Sequence, residues 1–262
     1  MSRYTITAWV LATTLLTLAN NSSANEIYID QAGDNLVLTV DQKGEWNLVV
    51  GKYTDDAPIT GDNNNITLNQ GYEGNNLIEM SIDGDNNDVT VNQERTANGG
   101  YDTDSYGNHY AGVEIDGSGN SVEITQRNNS GSSVGHTSGA VITNGDGNTI
   151  HTLQTGTGGS NGHNSYVHVK DGRDGNTVDI FQNSDTADHK AVVSIYSNDN
   201  NIDVNQTGGA NRAYVLFSTN ASGPTDFTLN QNGGDTYGNP DTGSYVTISC
   251  GSQAGCTMTV TQ

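Results

Sequence analysis

Basic side chains are scarce: 9 Lys and Arg stand against 30 Asp and Glu in 262 residues, a formal net charge of -21. Phosphate backbones are bound by clustered cations, so nucleic acid is a poor partner for this surface. Apolar side chains are also few, at 32 %. Low hydrophobicity with high net charge is, by composition alone, the signature of disorder, and only an ordered pattern overturns it. Recognised catalytic spacings are scarce too, with no HExxH or P-loop anywhere in the chain. Scattered Asp residues could meet in a cleft, as in polysaccharide-cleaving β-helices, but so acidic a chain produces such pairs by chance. The expectation is a protein that is not an enzyme and uses no cofactor.

Long apolar runs are confined to the N-terminus. Arg3 precedes Trp9–Ala19, an apolar stretch too short to span a bilayer, and Ser22–Ser23–Ala24 supplies the small residues a signal peptidase reads. Residues 1–24 are therefore expected to be an export signal and residues 25–262 the mature domain, with no membrane span after cleavage. Cleavage removes Arg3 and makes the net charge one unit more negative. Cysteine is limited to Cys250 and Cys256. In an exported chain the two are expected to form a disulfide closing a short loop, worth about 2 kcal/mol on the loop-length relation; two free buried thiols are the alternative.

What is abundant is repetition. NLVLTVDQ ends at Gln42, NNITLNQ at Gln70, DNNDVTVNQ at Gln93, GNSVEITQ at Gln126 and GNTIHTLQ at Gln154. GNTVDIFQ ends at Gln182, NNIDVNQ at Gln206, TDFTLNQ at Gln231 and CTMTVTQ at Gln262. The period is about 27 residues, which marks a repeat architecture. Counting back in twos from Gln126 meets Ile124, Val122 and Asn120, and from Gln182 meets Ile180, Val178 and Asn176. Alternation with period 2 is the pattern of a half-buried strand, and it places one Asn–apolar–apolar–Gln face on each segment. The Asn set is Asn64, Asn87, Asn120, Asn148, Asn176 and Asn200.

A shorter strand precedes each segment, as at Val113–Ile115, Val167–Val169, Val193–Ile195 and Val246–Ile248, across Gly/Asn/Asp turns. The fold expected is all-β: a β-solenoid of about nine two-stranded coils, each strand, tight turn, strand, then a variable loop. Stacking at roughly 4.8 Å per coil gives a rod of about 40 Å. It also sets Gln over Gln and Asn over Asn, so each amide column is hydrogen-bonded along the axis and fixes register. The end coils are expected to expose strand edges that template another chain.

Gln31–Ala32–Gly33–Asp34–Asn35 leading to Gln42, and Gly-Asn followed by a closing Gln at Gly119–Gln126, Gly147–Gln154 and Gly175–Gln182, carry a family likeness. These segments resemble the curlin repeat of bacterial curli amyloid subunits, over essentially the whole mature chain. The resemblance implies export through the outer membrane by a dedicated secretion machinery and assembly, with itself or a related fibre subunit, into extracellular biofilm fibres. Here most first-strand Gln positions are replaced (Asp116, Asn144 and Ser197 stand near them) and the loops are longer and more acidic. The implied roles are fibre subunit, nucleator or accessory component; a monomeric secreted adhesin binding carbohydrate or surfaces, with or without calcium, is the alternative.

Three further features invite chemistry. Gly145–Asn148 and Asp83–Asn86 resemble calcium β-roll turns, but the period is three times too long and Asn stands where Asp would ligate, so solvated turn carboxylates are expected. Tyr110, Tyr166, Tyr196, Tyr214 and Tyr245 fall near first strands, as half-buried rings or an outward stripe. His109, His136, His163 and His189 are 27, 27 and 26 residues apart. They are expected to be exposed residues leading into the first strands, or else a ladder along one edge that binds a transition metal or loosens below about pH 6.

Overall fold

A computed structural model describes residues 3–8, 14–18, 26–31, 37–42, 48–50, 64–70, 77–82, 84–95, 109–128, 135–156, 162–170, 174–185, 188–195, 198–209, 211–216, 225–233 and 256–261. Among them there is no helix. The strands in chain order are β1 (Arg3–Ala8), β2 (Thr14–Leu18), β3 (Glu26–Gln31), β4 (Val37–Gln42), β5 (Leu48–Val50) and β6 (Asn65–Gln70). They continue with β7 (Leu77–Glu79), β8 (Asp88–Arg95), β9 (Tyr110–Ala111), β10 (Ser121–Asn128), β11 (Thr149–Thr155) and β12 (Asn164–Tyr166). The last are β13 (Thr177–Asn183), β14 (Lys190–Ser194), β15 (Asn201–Thr207), β16 (Arg212–Leu216), β17 (Thr225–Asn232) and β18 (Cys256–Thr261).

The longer strands make one ten-stranded sheet in the order β18-β17-β15-β13-β11-β10-β8-β6-β4-β2. The shorter ones make a second layer, β1-β3-β5-β7-β9 and β12-β14-β16, with Thr137 bridging Tyr110 to Asn164 between them. Every pairing is parallel, so the chain is a β-solenoid. β1 and β2 lie in the segment read as an export signal and pair with β3 and β4.

Register follows the alternation. Gln42 pairs with Gln70, Gln70 with Gln93, Gln93 with Gln126, Gln126 with Gln154, Gln154 with Gln182, Gln182 with Gln206 and Gln206 with Gln231. A slip of one residue would turn every apolar side chain outward, which is why the pattern is decisive. Between the layers lies a dry seam: Val122 and Ile124, Val178 and Ile180, or Ile202 and Val204 from the long sheet meet Val113 and Ile115, Val167 and Val169, or Val193 and Ile195. Each such side chain withdrawn from water is worth about 1.5–3 kcal/mol. Thr152 takes the second apolar place in β11 and is itself buried.

The tight turn has a local cause. The residue before each column Asn from Asn87 to Asn200 has positive φ: Asn86 (56°), Gly119 (68°), Gly147 (64°), Gly175 (68°) and Asp199 (56°). Gly, Asn and Asp are the residues that tolerate this left-handed state, so the Gly-Asn, Asn-Asn and Asp-Asn pairs encode the reversal.

Candidate functional site: buried polar columns

Asn64, Asn87, Asn120, Asn148, Asn176 and Asn200 are all buried at the start of the long strands. Each side-chain Oδ1 accepts from the next coil. Asn120 Oδ1 takes the backbone N–H of Asn148 at 2.9 Å and its Nδ2 at 3.0 Å; Asn148 Oδ1 takes those of Asn176 at 3.0 and 2.9 Å. Asn200 Oδ1 accepts the N–H of Thr225 at 3.1 Å. Thr225, which is also buried, thus ends this run of the column, and the sequence pattern did not single it out because its side chain is no amide.

At the other end of the strands Gln93, Gln126, Gln154, Gln182, Gln206 and Gln231 form the second column. Their polarity is the reverse. Gln93 Nε2 donates to Gln126 Oε1 (2.9 Å), and the relay continues to Gln154 (2.9 Å), Gln182 (2.8 Å), Gln206 (2.8 Å) and Gln231 (2.9 Å). The second amide hydrogen crosses the core: Gln126 to Tyr110 O, Gln154 to Thr137 O and Gln182 to Asn164 O, each at 2.8 Å. One side chain therefore ties neighbouring coils together and the two layers to each other. The side chains of Gln42 and Gln70, the residue Gln262 and the Cys250–Cys256 pairing lie outside the described residues.

The histidines form a third column. His109, His136, His163 and His189 are at most 1 % exposed, so the expectation of solvent-facing residues ahead of the strands is corrected. Ring centroids are 5.2, 4.7 and 4.7 Å apart, and the last two pairs are stacked within 9° of parallel. Each Nδ1 accepts the backbone N–H of the next member: His136 to His109 at 3.0 Å, His163 to His136 at 3.0 Å, His189 to His163 at 3.3 Å. Each of the later three Nε2 atoms faces carbonyls, Arg127 O (3.2 Å) and Gly156 O (3.0 Å) for His136, Thr155 O (2.8 Å) for His163 and Asn183 O (3.3 Å) for His189. The carbonyls favour the neutral Nε2–H tautomer at His136 and His189, while His163 Nε2 also faces the N–H of Ser184 at 3.2 Å; both nitrogens of these rings are spent on backbone. Neither keeps a lone pair for a metal, and among the described residues no group of three or more His, Cys, Asp or Glu is arranged to hold one.

Burial first, and the neighbouring imidazole second, hold His136, His163 and His189 down to about 4.

Outside the core the turns carry another relay. Asp174 Oδ1 accepts the N–H of Asp146 at 2.9 Å and Asn198 Oδ1 accepts that of Asp174 at 3.2 Å. Turn carboxylates are thus engaged by backbone amides. The tyrosines do not make one stripe: Tyr110 shares its column with Thr137 and Asn164, while Tyr166 is in register with Val192 and Tyr214. Tyr196 and Tyr245 lie outside the described residues. On the outer face of the long sheet Glu123, His151, Asp179 and Asp203 are consecutive register partners.

No family model matches the chain, and neither a curated protein nor a solved structure matches it. The curlin likeness rests on the repeat pattern alone.

Proposed function

We propose that the mature chain, residues 25–262, folds as nine two-stranded coils and is a structural subunit or nucleator of extracellular curli-type fibres. It reaches the surface through the periplasm and an outer-membrane secretion machinery, and serves biofilm cohesion and adhesion. The observation that carries this reading is the pair of hydrogen-bonded amide columns in register along a parallel stack. An amide column leaves unmatched donors at one end and acceptors at the other, so a second copy added head to tail extends the glutamine column, whereas the asparagine run ends within the chain at Thr225. Removing residues 1–24 would take β1 and β2 away and leave β3 and β4 as the first edge.

The test is to incubate purified residues 25–262 with thioflavin T, then image by electron microscopy with and without calcium. Fibres with a meridional spacing of about 4.8 Å are expected, without a calcium requirement. A chain that stays monomeric by sedimentation at all concentrations and salt strengths would exclude the fibre role and favour the adhesin.

A further inference from the structure

The histidine column sits at the third corner of each coil, where the variable loop begins and ends. His136 Nε2 reaches the carbonyl of Arg127, the residue following Gln126, and His163 reaches Thr155, following Gln154. His189 reaches Asn183, following Gln182. Each imidazole therefore closes the neck of the loop that has just left the long sheet, while its backbone N–H docks on the ring below. Loops of unequal length are tolerated because the neck is closed in one way.

The next coil shows what the site needs. Asn211 stands in the column in place of histidine, its N–H on His189 Nδ1 at 3.4 Å and its Nδ2 donating to Thr207 O at 2.9 Å and Gln231 O at 3.3 Å. Thr207 follows Gln206, so an amide makes the same neck bond without a titratable ring. Histidine at the four preceding corners adds one property that Asn211 lacks, a change of charge with pH.

We propose that the stacked His109–His136–His163–His189 column is an acid-release seam, closing the loop necks when neutral and forcing them apart when protonated. A proton must arrive on Nδ1, where it meets the backbone N–H of the next coil, so the inter-coil bond is lost as the charge appears. That charge lies in a dry seam beside another imidazole. Asp188 is the one carboxylate that acts on His163 and His189, and it favours the charged form of both. Arg127 turns its guanidinium outward to Glu94 at 3.0 Å. Lys190, next to His189, is exposed. None of these provides His136 with a counter-ion.

Because the folded pKa lies below the unfolded one, the unfolded chain binds more protons between them, so stability falls as pH drops from about 6.5 and levels off near 4. Between pH 7 and pH 5 the unfolding constant is expected to rise roughly 20-fold per ring. Urea unfolding of residues 25–262 is measured across pH 4–8, for the natural chain and for the triple variant His136→Asn, His163→Asn, His189→Asn. The variant is expected to remain folded and to lose most of that pH dependence. Should it fail to fold, Asn211→His supplies the reverse test: it extends the column and is expected to steepen the acid loss while leaving stability at pH 8 nearly unchanged. The seam is overturned if the folded triple variant keeps the natural pH dependence, if Asn211→His adds none, or if the buried imidazoles titrate near 6.5 by NMR. The proposal concerns the folded coil stack and holds whether or not the chain polymerises.

Discussion

A buried glutamine is tolerable only if all of its hydrogen-bonding capacity is used. Gln154 shows how this is met: it accepts from Gln126, donates to Gln182 Oε1 and donates to Thr137 O. Gln154→Ala leaves an orphan donor on Gln126 and an orphan acceptor on Gln182, each costing about 1–3 kcal/mol when buried. A loss of about 3–5 kcal/mol in urea denaturation is expected, beyond what the shorter side chain alone removes. Gln154→Glu keeps the shape but loses both donors and faces Gln182 Oε1 with a carboxylate, so at pH 7 it is expected to be no more stable than Gln154→Ala. Equal stability of Gln154→Glu and the natural chain would mean that the relay is dispensable. The residues of both amide columns were readable from alternation, since period 2 assigns a face to each position. Their opposite polarity was not, because the two hydrogens and the oxygen of an amide look alike in sequence and only the stacked geometry orients them.

At the scale of the element, the turn is where backbone meets backbone. A Cβ placed on Gly84 would overlap the carbonyl of Gly117, and one on Gly117 the carbonyl of Gly145. Gly147 has φ of +64° but nothing within 4 Å of its missing Cβ. Gly117→Ala must spread two coils and is expected to cost more than about 2 kcal/mol, whereas Gly147→Ala costs about 1 kcal/mol for the left-handed backbone. Gly147→Asn is expected to be near neutral, since Asn86 already occupies the equivalent place. Denaturation midpoints of the three variants check the order, and an equal cost for Gly117→Ala and Gly147→Ala would refute the close-approach argument. The long strands were legible because six to eight alternating residues outweigh local noise. The short ones were less so: β9 is only Tyr110–Ala111, although His109 just ahead of it is buried in phase with Ala111, Val113 and Ile115. The regular spacing of the histidines was visible, and so was their face: counting back in twos from Ile115, Val113 and Ala111 reaches His109, a step that a polar side chain at the head of the strand discourages.

For the whole molecule the governing quantities are a net charge of -21 and a one-dimensional stack. Parallel register puts like charges side by side, with Asp179 directly beside Asp203 on the outer face. Burial and then the Asp179 charge raise the Asp203 carboxyl above its usual range, which is the local sign of that repulsion. The repulsion acts between coils and, in a fibre, between copies; it is long-ranged at low ionic strength and short-ranged in brine. The screening length falls from about 30 Å at 0.01 M to between about 3 and 10 Å at 0.5 M. Raising sodium chloride from 10 to 500 mM at pH 7.5 is therefore expected to raise the urea midpoint and to shorten the thioflavin lag several-fold. Salt separates this effect from the histidine seam. Protonation of buried rings is opposed by lost hydration and a lost backbone bond, which ions in solution do not restore, so high salt at pH 5 is expected to leave the pH-dependent loss nearly intact. Lag times that are the same at both salt strengths would show that the acidic surface is no brake on assembly. A full rescue at pH 5 by salt would instead assign the acid sensitivity to surface charge and take it away from the column.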